Sequence, residues 1–266
     1  MTLNVQPGFL WNDSIWNPSM ISTALWLDAA DASTVTLNGS TVSQWNDKSG
    51  NSRHVSQATA AQQPTWNATG LNSKPTLVFD GSNDILLNQN AGSVGVTNIS
   101  MFVVMRYVSA SGNDLPFGIG STNSNGQMRS LFLQGGGTTQ GFATWASDVS
   151  SSSLSADIGG THHIFEAIQG SVSSVSLFRD GTGATGNPLG FPGSSAVTFN
   201  GVSLGSLQGA SVGLYHSNVA ISEAILIYSE ASTDTRQRIE GYLSHKWGLE
   251  ANLPVGHPYK TTGPTP

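Results

Sequence analysis

Residues that build helices are too scarce for this chain to be mainly helical. Its 266 residues include five Glu and ten Lys plus Arg, against 31 Gly. Ser, Thr and Asn supply much of the remainder, and these favour turns and extended backbone over helix interiors. The balance predicts an all-β chain of many short strands joined by small-residue turns. A chain of this length can fold as one sandwich and bury a large core.

The same composition removes several function classes. Net charge is −6 and the basic residues are scattered singly, so no basic face is available for nucleic acid or anionic lipid. No apolar run approaches the roughly 20 residues of a membrane span, so membrane insertion is not expected. The first 20 residues carry Asp13 and no Lys or Arg ahead of an apolar stretch, unlike a secretory signal. With no cysteine, disulfide frameworks, thiolate zinc sites and cysteine nucleophiles are excluded together.

Along the chain, residues 1–20 stand apart as an arm with no helical period. The arm carries Phe9, Leu10, Trp11, Ile15 and Trp16, more apolar area than a solvated tail normally holds. It either packs on its own domain or docks on a partner chain, and the expectation adopted is docking. Strand patterns follow within residues 21–257, including Ala24–Asp28, Thr41–Trp45, Pro75–Phe79, Asp84–Leu87, Ser100–Val108, Arg129–Leu133, Gly141–Ala146, His162–Gln169, Val172–Arg179, Ala210–Tyr215 and Ala220–Tyr228. Ser100–Val108 is apolar on both faces, as an inner strand would be. Residues 147–160 and 181–195 read as loops. One helix is expected near the C-terminus, capped by Ser232 or Thr233 and stopped at Gly248, with Ile239, Tyr242, Leu243 and Trp247 on one face. Residues 258–266 read as an extended tail.

Seven pieces in this order have a familiar look: Leu25-Trp-Leu-Asp-Ala-Ala-Asp31, Val42-Ser-Gln-Trp-Asn-Asp-Lys-Ser-Gly-Asn51, Gln63-Pro64, Lys74-Pro-Thr-Leu-Val-Phe-Asp-Gly81, Leu177-Phe-Arg-Asp-Gly181, Arg238–Leu249 and Leu253-Pro-Val-Gly-His-Pro-Tyr259. Together they resemble the concanavalin A-like (laminin G-like) jelly-roll domains of bacteriophage structural proteins and bacterial surface proteins. The resemblance implies an antiparallel jelly-roll β-sandwich with the C-terminal helix packed on it. It says much less about function, because such folds host lectins, adhesins, hydrolases and shell proteins alike.

Catalytic patterns are weak. Glycosidases of this fold class place paired carboxylates on one strand, whereas Glu166 and Glu223 each stand without a second acid two or four residues away. Gly201-Val-Ser-Leu-Gly205 has nucleophile-elbow spacing but no helix after it. Gly181-Thr-Gly-Ala-Thr-Gly186 has dinucleotide spacing, yet Asn187-Pro188 replaces the helix that should hold a pyrophosphate. Adjacent His162 and His163 would point to opposite faces of a strand. Asp80, Asn83 and Asp84 offer oxygen ligands in a tight turn, so calcium is the one cofactor considered, beside the plain reading as a hairpin turn. Trp66, Trp145 and Tyr215 are the aromatics in positions to stack on sugar faces.

The expectation from these readings is a bacteriophage virion component without enzymatic activity, a decoration, fibre or tail element held to capsid or tail subunits by its arm. It would assemble in the host cytoplasm, end on the extracellular particle, and could be homo-oligomeric. The alternative is a carbohydrate-binding adhesin for host-surface glycans.

Overall fold

In the computed structural model, residues 15–88, 95–110, 112–120, 127–133, 138–144, 147–191, 197–198, 201–207 and 215–266 are described. In chain order the strands are β1 (Leu25–Asp28), β2 (Val35–Asn38), β3 (Thr41–Trp45), β4 (Val55–Ser56), β5 (Thr65–Leu71), β6 (Lys74–Asp80), β7 (Leu86–Asn88), β8 (Gly95–Val96), β9 (Ile99–Ser109) and β10 (Phe117–Gly120). They continue as β11 (Met128–Leu133), β12 (Thr139–Ala143), β13 (Val149–Ser155), β14 (His163–Ser171), β15 (Ser174–Arg179), β16 (Thr182–Gly183), β17 (Leu189–Gly190), β18 (Val197–Thr198), β19 (Val202–Leu204) and β20 (Asn218–Ile227). One α-helix, α1 (Thr233–Trp247), follows.

All the pairings are antiparallel. One run is β6 and β1 on the same edge of β20, then β9, β14 and β15. A second run is β2, β3, β4, β7, β19, β10, β11, β12 and β13. The β5–β6 hairpin joins them, because β5 also pairs with β3 at Thr65↔Thr41. The network folds back so that β11 and β12 lie against β14 and β15 without bonding to them as strands. Among the described residues this is a two-layered all-β body with a single α-helix.

Between the layers sits one continuous core that includes Trp45, Phe79, Phe117, Phe142 and Phe165. Two polar side chains cross it: Arg129 Nε donates to Gln169 Oε1 at 2.7 Å, and Gln140 Nε2 donates to the Glu166 carbonyl at 2.8 Å. Buried polar groups are tolerable when bonded in this way.

Strand β9 is buried through Met105, as its apolar run predicts. Two loop expectations need correction, the first being residues 181–195, within which the two-residue strands β16 and β17 form. Residues 147–160 are not all loop, because β13 forms there; Ser151 and Leu154 turn inward while the residues between them are exposed. Such a Ser-rich edge strand shows no apolar alternation in its sequence. The mostly exposed β5 is likewise invisible as a pattern, and its hairpin partner creates it. Asn72 and Ser73 join them with φ of 47° and 60°, the left-handed pair that a tight two-residue turn requires. Of the expected strand Ala210–Tyr215, only Tyr215 lies among the described residues.

The helix lies on the outer face of the first run, with Ile239, Leu243 and Trp247 fully buried. Ser232 Oγ accepts the Thr235 N–H at 3.1 Å, and Gly248 closes the helix at φ 69°. The tail is not extended throughout, since it turns at Pro258–Tyr259, and it is bound to the helix. A side chain on Gly241 would meet Tyr259 Cβ at 2.5 Å, and Arg238 Nη1 donates to the Thr265 carbonyl at 2.8 Å. Trp16 N–H reaches the Pro264 carbonyl at 3.2 Å, so the described end of the arm and the tail meet.

Candidate functional site

Three of the sequence pieces, residues 25–31, 42–51 and 238–249, meet strand β20 at one polar centre beneath the helix. Register pairs Asp28 of β1 with Glu223 of β20, and Lys246 descends from α1 between them. Lys246 Nζ lies 2.6 Å from Asp28 Oδ1, 2.7 Å from Glu223 Oε2 and 3.0 Å from the Tyr242 hydroxyl. Glu223 also accepts from Trp26 Nε1 at 2.7 Å, Tyr242 Oη at 2.9 Å and Trp247 Nε1 at 2.6 Å. Burial pushes the Glu223 carboxyl up, and the Lys246 ammonium opposes that shift. Asp28 is also buried, but Lys246 and Lys48 outweigh that and hold it low. Lys48 bridges Asp28 and Asp31 at 2.8 and 2.9 Å and stands 4.5 Å over the Trp26 ring.

A second buried group ties sheet, helix and tail. Glu166 and Glu240 meet across β14 and α1, both fully buried. Burial, then the neighbouring Glu240, drives Glu166 well above the carboxylate range, so it is the protonated member. Burial opposes ionisation of Glu240, but bonds from His257, Glu166 and Arg236 hold it low. His257 Nε2 sits 2.7 Å from Glu240 Oε2, and Arg236 Nη1 bonds to Oε1. Neither Glu166 nor Glu223 is therefore solitary. Each meets its acid partner from a different element, which spacing along one strand could not reveal.

His162 and His163 do point to opposite faces. His163 is clamped by Asp180 at 2.5 Å and Asp157 at 2.9 Å. Burial disfavours its charge, yet the two carboxylates raise its pKa above the ordinary value.

Asp28 and Lys246 form the floor of a cleft of about 580 Å³, beside the aromatic rings of Trp26 and Tyr242. Its mouth carries Asp31, Lys48 and Lys74. None of these groups stands out in the sequence, although a Lys four residues after Tyr242 on the buried helix edge signals a buried counter-charge.

The residues expected to form sites are not brought together. Phe9, Leu10, Trp11 and Trp145 lie outside the described residues. Ile15 is half-buried. Trp16 is 4% exposed and packs edge-on against Tyr242 at 6.2 Å; its apolar surface is used by its own domain, which corrects the docking expectation for this residue. Trp66 is half-buried against the main core. Tyr215 packs on a smaller cluster, with φ 63°, and lines a cavity of about 150 Å³ beside Asn113 and Asp148.

The Asp80–Asp84 loop is built as a turn. Asp80 Oδ1 accepts the N–H groups of Ser82 and Asn83 at 2.8 and 3.2 Å, and Asp84 Oδ2 accepts that of Asp80 at 3.0 Å. Among the described residues no group of three or more His, Asp or Glu is arranged to hold a metal ion. Burial, with Asp80 beside it, pushes the Asp84 carboxyl up to about 6. A carboxyl raised on folding favours the folded state when protonated, so its contribution is lost as pH rises from about 4 through about 6. Asp84→Asn keeps an acceptor for the Asp80 N–H. It is expected to raise stability by about 1–3 kcal/mol at pH 8 and to change little at pH 4. Equal unfolding midpoints for wild type and variant at pH 8 would contradict this.

No protein-family model and no curated protein matches the sequence. Solved structures do match. A Trypanosoma rangeli sialidase aligns over 84% of this chain and 32% of its own, with TM-score 0.56 and 13% identity. Domain 4 of AbnA, a GH43 extracellular arabinanase of Geobacillus stearothermophilus solved with arabinotriose, aligns over 80% of this chain and 96% of its own, with TM-score 0.58 and 12% identity. A GH54 α-L-arabinofuranosidase aligns over 84% and 59%, with TM-score 0.53 and 13% identity. The likeness is one of fold. This chain spans about a third of the sialidases it matches.

These neighbours correct the expectation of a protein without enzymatic activity. The fold occurs within sialidases and arabinose-releasing hydrolases, so a missing single-strand acid motif does not exclude hydrolysis.

Proposed function

We propose that this chain is a glycan-binding domain with a concanavalin A-like jelly-roll sandwich, and that sugar binds in the Trp26–Tyr242 cleft. The observation that carries the reading is the meeting of two aromatic side chains with Asp31, Lys48 and Lys74 in about 580 Å³. That volume is within the range of small-ligand sites, and apolar walls with a few placed polar groups are their usual make-up. A sugar ring offers a C–H face for the aromatics and hydroxyls for the Asp31 carboxylate and the Lys74 ammonium. Two-layered antiparallel order and the sequence pieces gathered at the polar centre support the jelly-roll reading. The arabinanase domain solved with arabinotriose matches over nearly all of its own length, which supports a role in sugar binding. A place in a phage particle is not needed for this reading, and no feature of the fold favours one.

Titration of the full chain with purified polysaccharides tests the reading. Saturable binding is expected for at least one. Lys74→Ala should weaken it about tenfold, or about 1.4 kcal/mol, with the fold intact because Lys74 lies half-buried at the cleft mouth. Equal binding by wild type and variant would place the site elsewhere, and no saturable binding by wild type would overturn the function.

A further inference from the structure

A second cleft, of about 470 Å³, shares the Asn72–Ser73 turn with the first: Asn72 lines one and Ser73 the other. Gly70, Gly160 and Gly248 form part of its wall, and Arg106 and His162 line it beside the amides of Asn72 and Asn252. Arg106 stands one step past the Met105↔His163 pair of β9 and β14, which sets it opposite His162 on the same face. Among the described residues Arg106 has no acidic partner, and its Nε is buried without a hydrogen bond. His162 is 5% exposed and its Nε2 is also buried without a hydrogen bond. Burial, with the Arg106 charge beside it, lowers the His162 pKa to about 4, so the ring is neutral at pH 7.

Nearby backbone does not supply the missing acceptor. The last helix carbonyls are taken: Asn72 Nδ2 donates to the Trp247 carbonyl at 2.6 Å and to that of Gly248 at 3.3 Å, and Leu249 N–H bonds to the Ser244 carbonyl at 2.8 Å. A half-buried guanidinium and a buried ring nitrogen without acceptors are costly to fold unless something else uses them.

We propose that this second cleft binds the carboxylate of a sugar unit, so that the glycan recognised is an acidic one carrying uronate-type residues. The proposal rests on the glycan-binding reading. One guanidinium fork beside a neutral imidazole matches a planar, singly charged carboxylate, with two parallel N–H donors from Arg106 and one from His162. A doubly charged phosphate would call for a second cation. The shared turn lets one chain place a hydroxyl-rich unit against Trp26 and the acidic unit beside Arg106. Bulk electrostatics cannot produce this preference, since the net charge of −6 repels acidic polymers.

The test compares binding of polygalacturonate, alginate and hyaluronate with binding of the carboxyl-reduced form of each, using wild type, Arg106→Gln and Arg106→Lys. Wild type is expected to prefer at least one acidic form by about tenfold or more. Arg106→Gln should abolish that preference while thermal stability stays equal or rises, because an unpaired guanidinium is removed. Arg106→Lys, which keeps the charge but not the fork, should retain part of it. A lowered unfolding temperature in Arg106→Gln with the preference intact would overturn the proposal and make Arg106 structural. Equal binding of acidic and reduced forms by wild type would overturn it while leaving the glycan-binding reading in place. Binding of neither form of any polysaccharide would overturn both.

Discussion

Lys246→Met is expected to destabilise the protein by about 3–5 kcal/mol, the usual cost of removing one partner from a buried ion pair. The Lys246 side chain is 6% exposed and faces Asp28 and Glu223. Asp28 would keep Lys48 at 2.8 Å, but Glu223 would keep only the neutral donors Trp26, Tyr242 and Trp247. The loss corresponds to a fall in unfolding temperature on the order of 10 °C for a chain this long. Adding Glu223→Gln should return part of it, because Gln carries an acceptor for those donors and no charge to bury. The two changes should therefore miss additivity by more than about 1 kcal/mol. The sign of the pH effect follows from burial, which already raises Glu223. Without Lys246 it takes a proton more readily, so the deficit of the single variant should shrink as pH falls. Additive losses, or a cost below about 1 kcal/mol for Lys246→Met, would show that the centre does not act as a unit.

Trp247→Ala carries an effect of similar size through a different term. The indole is fully buried between helix and sheet, and large-to-small changes of this kind cost about 3–5 kcal/mol. It also donates to Glu223 at 2.6 Å. Trp247→Phe separates the two contributions: it keeps most of the volume and loses the bond to a charged acceptor, worth about 1.5–3 kcal/mol. Denaturant midpoints should rank wild type above Phe and Phe above Ala. If Phe were as costly as Ala, hydrogen bonding rather than packing would hold the helix to the sheet.

Patterned elements were legible in the sequence. Thr41–Trp45 and the apolar run of β9 announce themselves by alternation and by length, and α1 by its cap, its apolar face and Gly248. Strands that owe their existence to a neighbour were not legible: β5 and β13 have few apolar positions and form because β6 and β12 offer ladders to complete. The polar centre was half legible. Asp28 and Lys246 lie inside the pieces that carry the family resemblance, but Glu223 does not, and the three meet only through strand register and helix packing. The cleft residues Asp31, Lys48 and Lys74 carry no local signature. Aromatic counting pointed instead to Trp66 and Tyr215, which pack on separate clusters.

The most direct test of sugar binding at Trp26 is the indole N–H region of the NMR spectrum, followed as neutral and acidic oligosaccharides are added to the full chain. Seven Trp give seven indole signals, and the Trp26 signal is tied to Glu223 at the cleft floor. The glycan-binding reading predicts a saturable shift of the Trp26 signal with at least one oligosaccharide, while Trp45, buried in the core, stays in place. No shift with any sugar, or a shift that leaves Trp26 unmoved, would contradict it.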